Sequence, residues 1–251
     1  MTEAILSVEK LRKQFGGLNA TDNVDLGVQR GELVAIIGPN GAGKTTLINL
    51  LTGVYPSDGG TIRFEGEDVT SLPVHSRSLR GLARSFQITS IFPEMTTLEN
   101  VAIAAQAHLG HSYRFWRKVA NDKKIYDSAR TILKELGMES HIHRPASMLA
   151  HGEKRVLEIA MALVTNPKML LLDEPMAGLG VEESRKMITF ISRLKGKLTI
   201  LLIEHDMEAV FALADRILVL ASGAIVASGP PDEIRNDPKV KLAYLGDDED
   251  V

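Results

Sequence analysis

The sequence contains no cysteine, and it has no apolar run long enough to cross a bilayer. Without cysteine there are no disulfides and no thiolate metal site, which suits a reducing compartment. The longest apolar runs, such as 169–172 and 198–203, fall far below the roughly 20 residues that a spanning helix needs. The first 15 residues also lack the basic-then-apolar layout of a secretory signal. We expect a soluble chain that would serve a membrane process only by docking on another subunit.

A strong charge of either sign is also missing. The formal net charge is -3, with 29 basic and 32 acidic residues. Because this balance gives no general attraction to nucleic acid, and because no basic stripe is present, we expect no nucleic-acid partner. With 251 residues and 44% hydrophobic content, the chain is long enough for one large α/β domain or for a core with a smaller subdomain.

The pattern of strands and helices divides the chain into three parts. Short strand-like runs come early, at 5–8, 24–28, 33–37 and 61–64, and buried-looking strands (MLLLD, LTILLIE, RILVLA) alternate late with helical stretches at 182–194 and 206–214. Such alternation predicts a parallel sheet covered on both faces. Between these zones helical patterns dominate, most clearly at 97–107 and 124–136. We predict a core from 1–92 and 149–251, interrupted by a helical subdomain at 93–148.

A glycine-rich run, GPNGAGKTT, follows the apolar strand 33–37 and fits the pattern Gly, four residues, Gly, Lys, Ser/Thr. Its glycines let successive N–H groups turn inward around phosphate oxygens, and a helix that begins near Lys44 adds the positive end of its dipole. Lys44 would reach the β and γ phosphates, and the Thr45 hydroxyl would hold Mg²⁺. The alternative is a glycine-rich strand-to-helix turn that binds nothing, but such a turn needs neither the lysine nor the hydroxyl. The predicted nucleotide contacts are Gly38, Pro39, Asn40, Gly41, Ala42, Gly43, Lys44, Thr45 and Thr46.

Two adjacent carboxylates, Asp173 and Glu174, end the hydrophobic strand MLLLD. This is the edge at which open α/β sheets bind ligands. Asp173 would hold the Mg²⁺ and Glu174 would orient or deprotonate an attacking water. Two acids at a strand end can also merely face solvent, so the interpretation depends on the phosphate loop upstream.

A third segment, LAHGEKRVLEIAMALV, predicts a helix that begins at 150–152 and presents free N–H groups as an anion site. Its apolar face would comprise Val156, Ile159, Ala160 and Leu163. Lys154 and Arg155 in its first turn oppose the helix dipole, which costs stability unless an anion or an acid lies nearby. The alternative is that the two side chains form a solvated basic face.

Taken in this order and at these separations, GPNGAGKTT, LAHGEKR and LLLDEP resemble the ATPase subunit of an ABC transporter over nearly the whole chain. The resemblance implies a P-loop NTPase core with a parallel sheet, an antiparallel β subdomain and a helical subdomain. It also implies ATP and Mg²⁺ as cofactors. The family's signature usually reads Leu-Ser-Gly-Gly-Gln, and here Ala150, His151, Gly152 and Glu153 stand after the leucine. A hydroxyl contact to the γ-phosphate is therefore missing, while the backbone donors remain.

The resemblance carries over three further site residues. Phe15 matches the aromatic that stacks on adenine, with a core-edge phenylalanine as the alternative. Gln87 matches the glutamine that links Mg²⁺ and the attacking water to the helical subdomain, and His205 matches the histidine that contacts the γ-phosphate. A polar loop residue and a structural histidine are the corresponding alternatives. Gly180 stands where the family usually has an aspartate.

The resemblance also implies the partners. Two copies, or this chain and a homologue, would sandwich two ATP molecules head to tail. The 92–94 region would receive a membrane permease subunit, with a simple turn as the alternative. The chain would lie in the cytoplasm, peripheral on the inner face of the cell membrane, with a solute-binding protein as an indirect partner.

Within the family, the chain looks most like the ATPase of branched-chain amino-acid importers. The segments that carry this resemblance are LAHGEKR, AGLG and DEIRNDPKVKLAYLG. Urea uptake and lipopolysaccharide export are served by close relatives. A soluble ABC ATPase acting on nucleic acid or ribosomes is a further alternative, but one cassette, no heptads and a negative charge argue against it. A nucleotide sensor without turnover is another, and Lys44, Asp173, Glu174 and His205 argue against it.

Overall fold

The computed structural model describes residues 4–85, 91–108, 123–238 and 240. The strands are β1 (Ala4–Phe15), β2 (Leu18–Gln29), β3 (Leu33–Ile37), β4 (Gly59–Phe64), β5 (Glu67–Asp68), β6 (Leu82–Arg84), β7 (Met169–Asp173), β8 (Thr199–Ile203), β9 (Arg216–Ala221) and β10 (Ala224–Gly229). The helices are α1 (Lys44–Thr52), α2 (Val74–Leu79), α3 (Thr97–His108), α4 (Lys123–Glu135), α5 (His151–Leu163), α6 (Val181–Leu194), α7 (Met207–Leu213) and α8 (Pro231–Asn236), with 3₁₀ turns at Glu139–His141 and Ala146–Met148.

The described residues form a central six-stranded sheet in the order β10-β9-β3-β8-β7-β6. All neighbouring pairs are parallel except β10 and β9, which form an antiparallel hairpin. Both faces of its inner strands are buried: in β3, Val34 and Ile36 join one hydrophobic cluster, whereas Leu33, Ala35 and Ile37 join the other. This is the expected result of a period of two in a strand covered on both sides. The predicted parallel sheet is confirmed.

A second, antiparallel sheet in the order β2-β1-β4-β5 covers one face of the central sheet together with α1. Its strands β1 and β2 are longer than the apolar runs 5–8 and 24–28 predict. Polar residues continue the backbone pairing as far as Phe15 and Leu18. The other face is covered by α5, α6 and α7. The prediction of an α/β fold with an antiparallel β part is therefore confirmed.

Helices α3, α4 and α5 form a separate hydrophobic cluster, with Val101, Ala129, Leu133 and Leu157 fully buried in it. Two of these helices were predicted at 97–107 and 124–136, and their bounds agree with the structure to within one residue. Because α5 also packs against the central sheet through Ile159, it connects this cluster to the core. The division of the chain at 93 and 148 stays a prediction. No helix among the described residues is long and apolar enough to cross a membrane.

Arg77, in α2, is a buried cation at the C-terminal end of α1. Its side chain is 2% exposed, and its guanidinium donates to the carbonyls of Leu50 and Leu51 at 2.7 Å, of Thr70 at 2.8 Å and of Leu72 at 2.9 Å. Burial lowers the pKa of Arg77 to about 10, so the group stays charged at neutral pH. It donates to carbonyls in the last turn of α1, where partners within the helix run out and where a cation also favours the helix dipole.

We expect Arg77→Met to lower the free energy of unfolding by about 2–4 kcal/mol, because buried carbonyls lose their partners while the apolar volume is kept. Urea unfolding followed by circular dichroism measures the change. Arg80→Met is the matched control: Arg80 pairs with Glu67 at 3.0 Å on the surface, so its removal should shift the value by no more than about 0.5 kcal/mol. Equal effects of the two substitutions would contradict the role of Arg77.

Candidate functional site

The loop between β3 and α1 is built from glycines that the backbone requires. Gly38, Gly41 and Gly43 have φ of 155°, 79° and 100°. A Cβ on Gly38 would lie 2.0 Å from the carbonyl oxygen of Leu220, and one on Gly43 would lie 2.3 Å from that of Ala20. Gly43 is also the N-cap of α1, so the predicted helix start at Lys44 is confirmed. The loop is thus fixed against neighbouring backbone, with the N-terminus of α1 at its end.

Lys44 lies in the first turn of α1 and folds back over the loop. Its ammonium donates to the carbonyl oxygens of Gly38 at 2.6 Å and Pro39 at 2.9 Å. Burial lowers the pKa of Lys44, while the charges of Glu174 and Asp173 raise it in part. The structure therefore brings the loop lysine and the two strand-end acids into one electrostatic environment. Thr45 and Asn40 are exposed beside it.

Asp173, the last residue of β7, is 2% exposed. Its Oδ2 accepts from Nη2 of Arg84 at 2.8 Å, and Nη1 of Arg84 donates to Oδ1 of Asn49 at 2.6 Å. Asn49 belongs to α1, and Arg84 ends β6, the strand beside β7. Arg84 thus connects the helix after the glycine loop to the carboxylate at the strand end.

Glu174 has a left-handed backbone, with φ of 49°. That conformation costs a residue with a side chain on the order of 1–3 kcal/mol, and it persists only where neighbours hold it. The Glu174 amide donates to the carbonyl of Ile203 at 2.9 Å, and the Ala177 amide donates to the carbonyl of Glu174 at 3.1 Å. Nδ1 of His205 lies 4.0 Å from Oε1 of Glu174. Two of the three predicted catalytic residues, Glu174 and His205, are therefore neighbours at the ends of adjacent strands.

Glu204, between β8 and His205, is 0% exposed. Its carboxylate accepts from the main-chain amides of Met176 at 2.8 Å, His205 at 3.1 Å and Asp206 at 3.4 Å. Burial raises the pKa of Glu204, and these three amide donors lower it in part. Sequence reasoning missed this residue, and it missed Arg84 and Asn49 as well. The available signal was a charged residue directly after an apolar strand, next to His205.

Phe15 lies at the end of β1, and 44% of its surface is exposed. Its ring meets that of Tyr55 edge-on, with centroids 5.5 Å apart and an interplanar angle of 75°. The Lys13 ammonium lies 5.4 Å from the Phe15 centroid and 2.7 Å from Asp58. An exposed aromatic face suits stacking on a planar base, so the role of Phe15 in binding adenine stays a prediction. Tyr55 was not predicted.

The signature residues lie at the start of α5, in contact with other elements. Ala150 is the N-cap, and its amide donates to Oε2 of Glu153 at 2.8 Å. Oε1 of Glu153 also lies 3.2 Å from Nε2 of His141. Together with α6, Ala150, Gly152 and Glu153 line a groove of about 560 Å³. A Cβ on Gly178 would lie 3.2 Å from Nε2 of His151.

All four residues of the predicted apolar face of α5 pack in or against the hydrophobic clusters. Ile159 and Ala160 are buried, but Val156 and Leu163 are half-buried, and Leu157 takes the central place. The Arg155 guanidinium lies 3.1 Å from Oε2 of Glu158. The Glu158 carboxylate therefore offsets the unfavourable position of this cation at the helix start. This is the nearby acid that the sequence analysis required. For Arg155, the alternative of a solvated basic face is wrong.

Gln87 lies outside the described residues, so its predicted position between Mg²⁺ and the helical subdomain stays a prediction. The residues that are described fit a magnesium triphosphate. A glycine cradle that a Cβ would fill, a lysine ammonium and a helix N-terminus suit phosphate oxygens. The Thr45 hydroxyl and the Asp173 carboxylate are the oxygen ligands that Mg²⁺ prefers.

Two protein families match the sequence. The family described as "ABC transporter" matches residues 21–177. The family described as "Branched-chain amino acid ATP-binding cassette transporter" matches residues 224–250. The first match spans more than half of the chain and includes the glycine loop, the α5 segment and both strand-end acids.

Curated relatives match along nearly the whole chain. The high-affinity branched-chain amino acid transport ATP-binding protein BraF of Pseudomonas aeruginosa is 41% identical over 254 residues, which cover 98% of this chain and 100% of the relative. The corresponding protein LivG of Escherichia coli is 42% identical over 254 residues, with the same coverage.

Solved structures show the same fold. An ATP-binding cassette of an ABC transporter in its ADP conformation superposes with a TM-score of 0.87 at 34% identity, covering 98% of this chain and 100% of that one. A nucleotide-free cassette from an ABC transporter superposes with a TM-score of 0.86 at 35% identity, covering 97% and 99%.

The glycine loop yields a test that separates backbone strain from lack of space. Gly43 and Gly41 both have positive φ, but a Cβ on Gly41 would meet nothing within 4 Å. We expect Gly41→Ala to cost only the strain of about 1–2 kcal/mol. Gly43→Ala should cost about 1–3 kcal/mol more, because the new methyl group meets the Ala20 carbonyl. Thermal unfolding by calorimetry measures both, and equal costs would contradict the close approach.

Proposed function

This chain belongs to the ABC transporter family as an ATPase subunit, and we propose that it powers the import of branched-chain amino acids. The observation that supports the ATPase chemistry best is the site at one sheet edge. There the Lys44 ammonium lies over the glycine loop, bonded to the carbonyls of Gly38 and Pro39, and Nδ1 of His205 lies 4.0 Å from Oε1 of Glu174. The substrate class is supported by the names of the relatives and by the second family match.

We assign each residue of the site a role in ATP hydrolysis. The main-chain N–H groups of 38–46, with the exception of Pro39, and the Lys44 ammonium bind the phosphates, and Phe15 stacks on the adenine. The Glu174 carboxylate orients the attacking water and accepts its proton, while His205 contacts the γ-phosphate. Thr45, Asp173 and Gln87 would hold Mg²⁺, which neutralises developing phosphate charge when bound.

The signature residues act on a second copy in this proposal. In the described chain, the α5 N-terminus lines a groove with α6. Its free amides would therefore serve the nucleotide of an opposing subunit, identical or homologous, which makes the ATP sites complete only in a dimer. Because Ala150 has no hydroxyl and its own amide donates to Glu153, the backbone donors of His151, Gly152 and Glu153 carry this contact.

The proposed membrane partner is a permease. Phe92 is 46% exposed, and its amide donates to Oδ1 of Asn100 at 2.7 Å, which fixes the turn that precedes α3. A permease segment docked there would place the chain in the cytoplasm, peripheral on the inner face of the membrane. A solute-binding protein would then deliver the amino acid on the other side.

Glu174→Gln tests the chemistry. The variant keeps the shape of the side chain but cannot accept a proton, so we expect kcat for ATP hydrolysis to fall about 10²–10⁴-fold while ATP binding persists. Phosphate release and calorimetric titration measure the two quantities. Lys44→Ala is the comparison, since loss of a charge-assisted contact should weaken ATP binding roughly 10–100-fold. Unchanged turnover in Glu174→Gln would contradict the assignment.

Transport itself tests the substrate. We expect the chain, purified with its membrane subunits and reconstituted in vesicles, to support ATP-dependent uptake of labelled leucine, isoleucine and valine, and Glu174→Gln to abolish it. Urea uptake or outward movement of lipopolysaccharide under the same conditions would assign a different substrate. Co-purification with nucleic acid or ribosomes and no membrane subunit would contradict the transporter role.

A further inference from the structure

We propose that Glu204 is a positioning residue that fixes the Glu174 turn and the His205 turn relative to each other. The inference rests on the proposed ATP-hydrolysis site, and it adds one supporting residue to that site. Glu204 accepts from its neighbours' backbone amides, its Oε2 lies 3.9 Å from Nδ1 of His205, and its carboxylate connects two segments that are far apart in sequence.

The two oxygens of Glu204 serve different turns. Oε1 accepts from the Met176 amide at 2.8 Å, two residues after Glu174. Oε2 accepts from the amides of His205 at 3.1 Å and Asp206 at 3.4 Å. One rigid carboxylate therefore sets the distance between the segment that follows β7 and the segment that follows β8.

The Glu174 turn needs such support. Its left-handed backbone is unfavourable for a residue with a side chain. Parallel pairing of Asp173 with Ile203 brings β7 and β8 together up to this point, and the Glu174 amide still bonds to the Ile203 carbonyl. After that hydrogen bond, the next main-chain N–H that bonds to the segment following β8 is that of Met176. It donates to the Glu204 carboxylate. Glu204 thus continues the cross-strand connection past the end of the sheet.

The site requires a carboxylate in particular. Three N–H donors converge on Glu204, and an ionised carboxylate offers acceptors on both oxygens, whereas glutamine offers an acceptor on one side and a donor on the other. Burying a carboxylate is unfavourable, and burial indeed raises the pKa of Glu204. Stability alone does not account for a buried acid here, but accurate placement of two functional side chains does.

Glu204→Gln in the full chain is the test. Since glutamine can accept at only one of the two turns and points its NH₂ group at the N–H donors of the other, we expect kcat to fall about 10–100-fold, the effect typical of losing an outer partner of a functional side chain. ATP affinity by calorimetry should stay near that of the unaltered chain, whereas the thermal midpoint should fall by only a few degrees, because one turn loses its buried acceptor. Glu204→Asp, which keeps the charge but is one methylene shorter, should lose kcat as well, because it cannot reach both turns.

Glu32→Gln is the matched control. Glu32 is also a carboxylate that accepts a main-chain N–H, from Gln29 at 2.8 Å, but it precedes β3 at the opposite edge of the sheet and pairs with Arg216 at 2.7 Å. Its substitution should leave kcat unchanged. Hydrogen exchange of the 174–178 segment gives a direct reading, and it should accelerate in Glu204→Gln and stay constant in Glu32→Gln.

The outcomes separate this inference from the proposed function. If Glu174→Gln turns over ATP as well as the unaltered chain, the proposed function fails. If Glu174→Gln is inactive and Glu204→Gln or Glu204→Asp keeps full kcat, only the inference on Glu204 fails. A parallel loss of kcat, ATP affinity and thermal midpoint in Glu204→Gln would also overturn it, because that pattern describes a general structural role.

Discussion

Parallel pairing of β3, β7 and β8 is the constraint on which the site depends. Leu33 through Ile36 pair with the 200–203 run of β8, and Met169 through Asp173 pair with the 199–203 run on its other side. Because the three strands run in one direction, their carboxyl ends meet at one edge. The glycine loop follows β3, Asp173 ends β7 and Glu174 follows it, and Glu204 with His205 follow β8. Burial of both faces of the strands then fixes the register, since a slip of one residue would exchange the two hydrophobic clusters.

The edge concentrates polar groups in a region of low exposure, and each charge there has a partner. Asp173 has Arg84, the Lys44 ammonium has two carbonyls and two nearby acids, and Glu204 has three amides. Buried charges that are not paired are costly, so these arrangements explain why the edge stays folded. They also place the charges before any ligand arrives, which is what electrostatic catalysis requires.

The sequence allowed the parts of this site that depend on local pattern to be predicted. The glycine loop, the strand-end acids and the helix starting at Lys44 follow from spacing, and the inner strands follow from their continuous apolar runs. The length of β1 and β2 was underestimated, because residues such as Arg12 and Gln14 pair through their backbone whatever their side chains. Short β6 has too few residues to produce a pattern.

The supporting contacts could not be predicted from one sequence. Arg84 and Asp173 are 89 residues apart, and Glu204 and Met176 are 28 apart. Only the assembled sheet edge brings such residues together. The same holds for Arg77, which reaches the end of α1 from a different element. Arg155 shows the converse, since its local pattern left two interpretations and a neighbouring acid decided between them.

The left-handed backbone at Glu174 has a consequence for how this protein can evolve. Glycine and asparagine suit that conformation best, but neither carries the carboxylate that the chemistry needs. Selection for heat resistance alone would therefore favour replacements here that abolish turnover. Thermostability and activity are opposed at this position, and laboratory evolution of a hardier variant would have to keep Glu174 fixed and gain its stability elsewhere.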